Sequence, residues 1–209
     1  MREIEIRSAS LDDCDTIAYA LSRAFSDEPY VRALFGSGDI CTKVHQMFSA
    51  HLAHHYLISG QVDIAYCDGQ VAGAAVWNPP SASLPMRHWL ELFYRYASVM
   101  RSRLPHALSS DRYAARFEPR FKHWYLYVIG VDPSYRGLGI GSRLLDYRID
   151  HIGAHEACYL EASTPDSARL YARHGFLPLG EMPLNRSATL LGMWRPADQA
   201  MADFNGIRR

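Results

Sequence analysis

The 209-residue sequence predicts a single domain of mixed α/β class, a twisted mixed sheet of six to seven strands flanked by helices. Three observations carry that expectation. Gln61–Cys67 and Gln70–Trp77 are β-type runs separated by Asp68-Gly69, two residues that tolerate the positive φ of a tight hairpin. Trp124–Val131 is almost wholly apolar or aromatic, the pattern of a central strand covered on both faces. Beyond it, strand-type and helix-type runs alternate before a closing β pair.

The elements follow in chain order. Ile4 and Ile6 alternate with charged residues and make a short first strand with one buried face. Ser10 followed by Asp12 and Asp13 is a capping-box-like helix start, and Ile17, Leu21, Ala24 and Phe25 continue at helical spacing to about Pro29. A second helix runs from about Ile40 to Ile58 and stops at Gly60. Residues from about 81 to 122 read as a helical insertion ahead of the central strand. Within it Trp89, Phe93, Tyr96, Met100 and Leu104 recur at helical spacing, and a shorter helix is expected around 111–117. A glycine-rich turn and a helix over 139–152 follow the central strand. Then come a strand at Cys158–Ser163, a helix over 165–174, and strands over 176–184 and 188–194. The domain is expected to fill 1–196, leaving 197–209 as a tail with little to bury.

Apolar residues make up 48% and charged residues 21%, a globular balance that excludes disordered and collagen-like chains. Lys+Arg and Asp+Glu stand at 22 each, so no nucleic-acid partner is expected. Cys14, Cys41, Cys67 and Cys158 are scattered without a C-x-x-C pair, which favours reduced thiols over a disulfide scaffold or a zinc site. No window approaches 18 apolar residues and no signal core opens the chain. The expectation is a cytoplasmic protein with no membrane partner.

The segment from Asp132 to Ser142 carries the chemistry. It joins a buried strand to a helix, where main-chain N–H groups and the helix dipole make an anion site. Gly137, Gly139 and Gly141 let the backbone approach a phosphate closely. A phosphate-binding loop of the Walker type would need Gly-Lys-Ser/Thr, yet Gly141 is followed by Ser142 and Arg143. A dinucleotide fingerprint counted from Gly137 would need glycine where Ser142 stands.

Glu161 is a second candidate. Its neighbours Tyr159, Leu160 and Ala162 mark a buried strand, where a carboxylate is costly and its pKa raised. It could take a proton from an ammonium group or bind that group; a structural pair with an arginine is the alternative. Glu91, Glu118 and His123 are weaker candidates for the same work. His51, His54 and His55 lack the following Glu and the third ligand of a metal site, so no metal is expected. No cysteine sits in a nucleophile setting.

The run Arg136-Gly137-Leu138-Gly139-Ile140-Gly141 resembles the Arg/Gln-x-x-Gly-x-Gly/Ala motif of the GNAT superfamily of acyl-CoA-dependent N-acyltransferases. Downstream, Ala168-Arg169-Leu170-Tyr171-Ala172-Arg173-His174-Gly175-Phe176 resembles the same family's A-x-x-x-Y-x-x-x-G-F-like segment. Ala75-Val76-Trp77, the helical insertion, and Leu160-Glu161-Ala162-Ser163 are most similar to puromycin N-acetyltransferase-like members. The resemblance implies acetyl-CoA as co-substrate, held by the backbone of Ile129, Gly130 and Val131 and by Arg136, Gly137, Leu138, Gly139, Ile140, Gly141, Ser142 and Ser167. It implies Tyr171 as the acid that protonates the coenzyme A thiolate, beside Glu161 as base or amine anchor. The aromatic insertion makes a small-molecule amine the expected acceptor, with part of residues 84–120, Trp77, Phe25 and Tyr30 lining its pocket and Trp89 and Phe93 setting preference; plain core packing is the alternative for the stripe from Trp89 to Tyr96. A protein lysine or N-terminal acceptor, a non-catalytic acyl-CoA sensor, and a homodimer stay open.

Overall fold

The computed structural model describes residues 2–36, 38–185 and 188–198. Seven strands form one sheet: β1 (Ile4–Ser8), β2 (Gln61–Cys67), β3 (Gln70–Asn78), β4 (Trp124–Val131), β5 (Cys158–Ala162), β6 (Leu177–Asn185) and β7 (Ala188–Arg195). Their order across the sheet is β1-β2-β3-β4-β5-β7-β6. All neighbours are antiparallel except β4 and β5, which run parallel. The hairpin between β2 and β3 turns on Asp68 and Gly69 at φ 51° and 77°, the mirror-image turn that matches strand twist.

One face of the sheet carries α1 (Cys14–Phe25), α2 (Pro29–Phe35), α3 (Ile40–His51), its continuation through a wide turn at Leu52–Tyr56 into α4 (Leu57–Ser59), and α5 (Met86–Met100). Ile17, Leu21, Val44, Phe48 and Leu52 bury that side against Val62, Ile64, Ala74 and Val76. The other face carries α7 (Ile140–Ile152) and α8 (Pro165–Arg173), where Ile140, Leu144, Leu145 and Phe176 pack on Trp77, Leu126 and Leu160. A buried pair, Arg148 Nε to Asp63 at 2.9 Å, pins α7 to β2.

Two differences from the sequence expectations have plain causes. Helix α2 follows Pro29 directly: proline suits a first helical turn, and Val31, Leu34 and Phe35 then fall on one buried face. The second helix of the insertion is α6 (Leu104–Ala114), which begins near the end of α5 after a left-handed residue, Arg101 at φ 48°, rather than at 111. Of the expected tail, Asp198 donates its N–H to Ala154 at 2.7 Å, and 199–209 lie outside the described residues. Among the described residues no helix is long and apolar enough to cross a membrane.

Candidate active site

The site begins where β4 and β5 part. Trp124, Tyr125 and Leu126 pair with Cys158, Tyr159 and Leu160, and pairing stops there. On the opposite edge of β4, Val128 faces Val76 and Leu126 faces Trp77, so Tyr127 is an extra residue, a β-bulge. The bulge shifts the alternation of side chains by one. Leu126, Ile129 and Val131 pack on the α7 side, while Tyr127 and Val128 both pack on the α1 side. Bending at the bulge carries the rest of β4 away from β5 and leaves its edge open to a cavity of about 770 Å³.

Gly130 marks a close approach between two elements. A Cβ there would lie 2.8 Å from Phe25 Cε2 and 3.0 Å from Ala24 Cβ, so glycine lets α1 lie directly on β4. Ile129, Gly130, Val131, Arg136 and Ser167 all line the cavity, together with Glu161 and Tyr171. In the loop that follows Arg136, Gly137 and Gly139 adopt φ 81° and 76°, and a Cβ on either would meet nothing within 4 Å. Backbone conformation, not crowding, therefore requires glycine at both. The loop is fixed at its start by Asp132, which accepts from Ser134 N–H at 2.8 Å and from Arg23 Nε at 2.5 Å. Arg136 donates to the Ala24 carbonyl at 3.1 Å.

Leu138 stands exposed at the loop tip, whereas Ile140 is buried in the core, so any role in ligand binding belongs to their main chain. A Cβ on Gly141 would lie 3.4 Å from Leu170 Cδ2, and Ser142 Oγ lies 3.2 Å from His174 Nε2. Ser167 caps α8 reciprocally with Thr164: its N–H donates to Thr164 Oγ1 at 3.1 Å and its hydroxyl to the Thr164 carbonyl at 2.8 Å. An open strand edge, a glycine loop at the N-terminus of the 13-residue α7 and a long cavity fit an extended phosphate-bearing thioester.

Glu161 is not held by an arginine. It accepts from Tyr125 Oη at 2.7 Å, and burial pushes its pKa upward. Tyr171 is buried against Phe176; burial first, and then the charge of Glu28, raise its phenol well above the ordinary value. Glu28 is the residue that sequence reasoning missed. It precedes Pro29 at the α1–α2 junction, lines the cavity, accepts from Ser163 Oγ, and is itself raised by burial. Glu161 lies in β5 and Ser163 is the residue just past the strand's end, two positions along the chain. Ser163 thereby brings Glu28 to the same stretch of the cavity as Glu161.

The other candidates separate. Glu91 pairs with Arg95 at 2.8 Å on α5, and Glu118 lies 3.4 Å from the buried His123, whose ring meets those of Tyr159 and Trp194. None of the three lines the cavity. His51 does: its Nδ1 lies 2.7 Å from Tyr127 Oη, its ring stacks on Tyr96 at 5.5 Å, and burial pushes its pKa down to about 4.

The expected acceptor lining needs correction. Phe25 lines the cavity, but Trp77 is wholly buried on the α7 side of the sheet. Trp89 and Phe93 are each 51% exposed, Trp89 with its ring 5.9 Å from that of His55, and the insertion reaches the cavity through Tyr96 instead. The Tyr30 side chain lies outside the described residues.

A parallel strand pair that parts at a bulge, with a glycine loop at one end of the gap and a buried phenol and two carboxylates along it, defines an acyl-transferase type of site. The family model for acetyltransferases of the GNAT family matches residues 20–176, and the chain belongs to that family. It is similar to a Corynebacterium glutamicum structure described as histone acetyltransferase HPA2 and related acetyltransferase. The two are 31% identical with a TM-score of 0.75, over 94% of this chain and 97% of that one. It shares the fold with the Drosophila melanogaster polyamine N-acetyltransferase at 19% identity and a TM-score of 0.57, over 92% and 99% of the two chains. It shares it also with an N-acetyltransferase from Staphylococcus aureus Mu50 at 16% and 0.59, over 91% and 99%.

Proposed function

We propose that the chain moves the acetyl group of acetyl-CoA to the primary amine of a small molecule, by direct attack in a ternary complex. The observation that carries this reading is one continuous cavity. Ile129, Gly130, Val131 and Arg136, which leads into the glycine loop, line it together with Glu28, Glu161 and Tyr171. Neither carboxylate is paired with Lys or Arg among the described residues, so both are available to an ammonium group. The fold takes small amines elsewhere, as the Drosophila polyamine enzyme illustrates. Kinship to puromycin N-acetyltransferase-like members rests on the sequence of Ala75–Trp77 and Leu160–Ser163 and is proposed on that footing.

In this reading the α7 N-terminus and the backbone of 137–142 hold the pyrophosphate, and the open edge of β4 at Ile129–Val131 holds the pantetheine arm. Glu161, steadied by Tyr125, anchors the ammonium. Glu28 takes its proton, and the free amine attacks the thioester carbonyl carbon. As the C–N bond forms and the C–S bond breaks, Tyr171 protonates the departing thiolate. The two proton steps are coupled. The charge on Glu28 helps to raise the Tyr171 phenol, so a proton accepted by Glu28 removes that charge and makes Tyr171 the readier acid.

Thermal stability with and without acetyl-CoA, followed by thiol release against a panel of amines, tests the proposal. A rise in Tm, by mass action, together with thiol release is expected. The absence of any shift at millimolar acetyl-CoA would overturn it.

A further inference from the structure

Resting on that reading, we propose that the acceptor is a monocationic amine with an apolar, preferably aromatic, body, and that the cavity rejects polyamines and other acceptors with a second, distal charge. The inference comes from the distribution of charge along the cavity. Of its four carboxylates, Asp27 pairs with Arg32 at 2.5 Å and Asp166 pairs with Arg169, leaving Glu28 and Glu161 for an amine. Both line the one cavity, and Ser163 ties Glu28 to the stretch of chain just past Glu161, so they serve one ammonium group.

Past that stretch the wall turns apolar. Val31, Leu34 and Phe35 project from α2, and Met47 and Phe48 from α3. All five are buried residues. Next to them the His51–Tyr96 stack closes the cavity with aromatic faces, and a histidine held near pKa 4 adds no charge at neutral pH. Phe35 also borders a second cavity of about 410 Å³, lined by Lys43, Arg101 and Arg103. A distal ammonium would lose its hydration against methyl groups and rings. An aryl or alkyl tail in the same place gains burial and ring stacking.

Pairs of acceptors matched in length isolate the effect. With the full-length protein and saturating acetyl-CoA, kcat/KM for pentylamine should exceed that for 1,5-diaminopentane by at least about 100-fold. Phenethylamine should exceed ethylamine by about 10-fold or more, within the range that apolar pockets discriminate. Thermal shifts by the same amines in the presence of desulfo-coenzyme A supply a readout that needs no turnover and should rank them alike. A Met47→Glu variant, which places a carboxylate on the distal wall, should narrow the pentylamine preference at least about 10-fold without changing acetyl-CoA affinity. Equal or better use of the diamine by the wild-type protein would overturn the inference while leaving amine acetylation standing. No transfer to any amine, with the ranking preserved in the thermal shifts, would overturn the proposed reaction and sustain the acceptor class.

Discussion

Ile129, Gly130, Val131 and Arg136 bring an open strand edge and the start of the glycine loop to the cavity, and the loop runs on to the N-terminus of α7. The facing side is bounded by side chains from α1, α2, α3, α5 and β5, none of them adjacent in sequence to the loop. A backbone wall tolerates many side chains and depends on φ, ψ and pairing. A side-chain wall depends on which residues the fold gathers, and it can change its acceptor without disturbing the first. Substitutions should therefore divide into those that alter acetyl-CoA affinity and those that alter transfer.

The largest expected effect sits where the two sides meet. Tyr171→Phe should lower kcat by about 100- to 1,000-fold, the scale of a lost general acid, with acetyl-CoA affinity within about twofold of wild type by calorimetry. Loss of both in parallel would move Tyr171 to the binding wall. Glu28→Gln should lower kcat/KM by about 100-fold. By removing the charge that raises Tyr171, it should also shift the alkaline limb of the pH–rate profile to lower pH. Glu161→Gln should act mainly on the KM of the amine, and an unchanged KM would exchange the roles of the two carboxylates.

Packing at the seam sets a smaller effect. Gly130→Ala puts a methyl group against Phe25, Leu21 and Ala24 and should cost about 1–3 kcal/mol of stability, read by denaturant unfolding. An unchanged midpoint would mean that α1 shifts freely on β4. The smallest effect concerns Glu161 and pH. Its folded pKa is raised above the unfolded value of about 4.3, so the folded state binds the extra proton and stability falls as pH rises through that window. Glu161→Gln escapes this penalty. Its Tm should equal that of wild type near pH 4 and exceed it increasingly as the pH rises towards neutrality.

The backbone wall was legible in the sequence because its parts are contiguous: apolar strand, alternating glycines, helix, and the Tyr171 segment in order. The bulge at Tyr127 was not, since an apolar strand looks the same with or without one extra residue. Glu28 was hidden by its position before Pro29, where a carboxylate reads as a helix boundary. Only the fold brings it to Ser163, 135 positions along the chain. Trp89 and Phe93 misled for a different reason. α5 is apolar around much of its circumference, so spacing alone did not say that Tyr96 reaches the cavity while Trp89, two turns earlier, meets His55 and Phe93 lies half-exposed.

Amide hydrogen exchange of the full-length protein with and without acetyl-CoA tests the central claim most directly, because it reads the main chain. Slowed exchange at residues 127–131 and 136–142, with little change in α2 and the outer half of α5, is the predicted result. Unchanged exchange in those two segments at a saturating concentration, or protection confined to α2 and α5, would contradict the account.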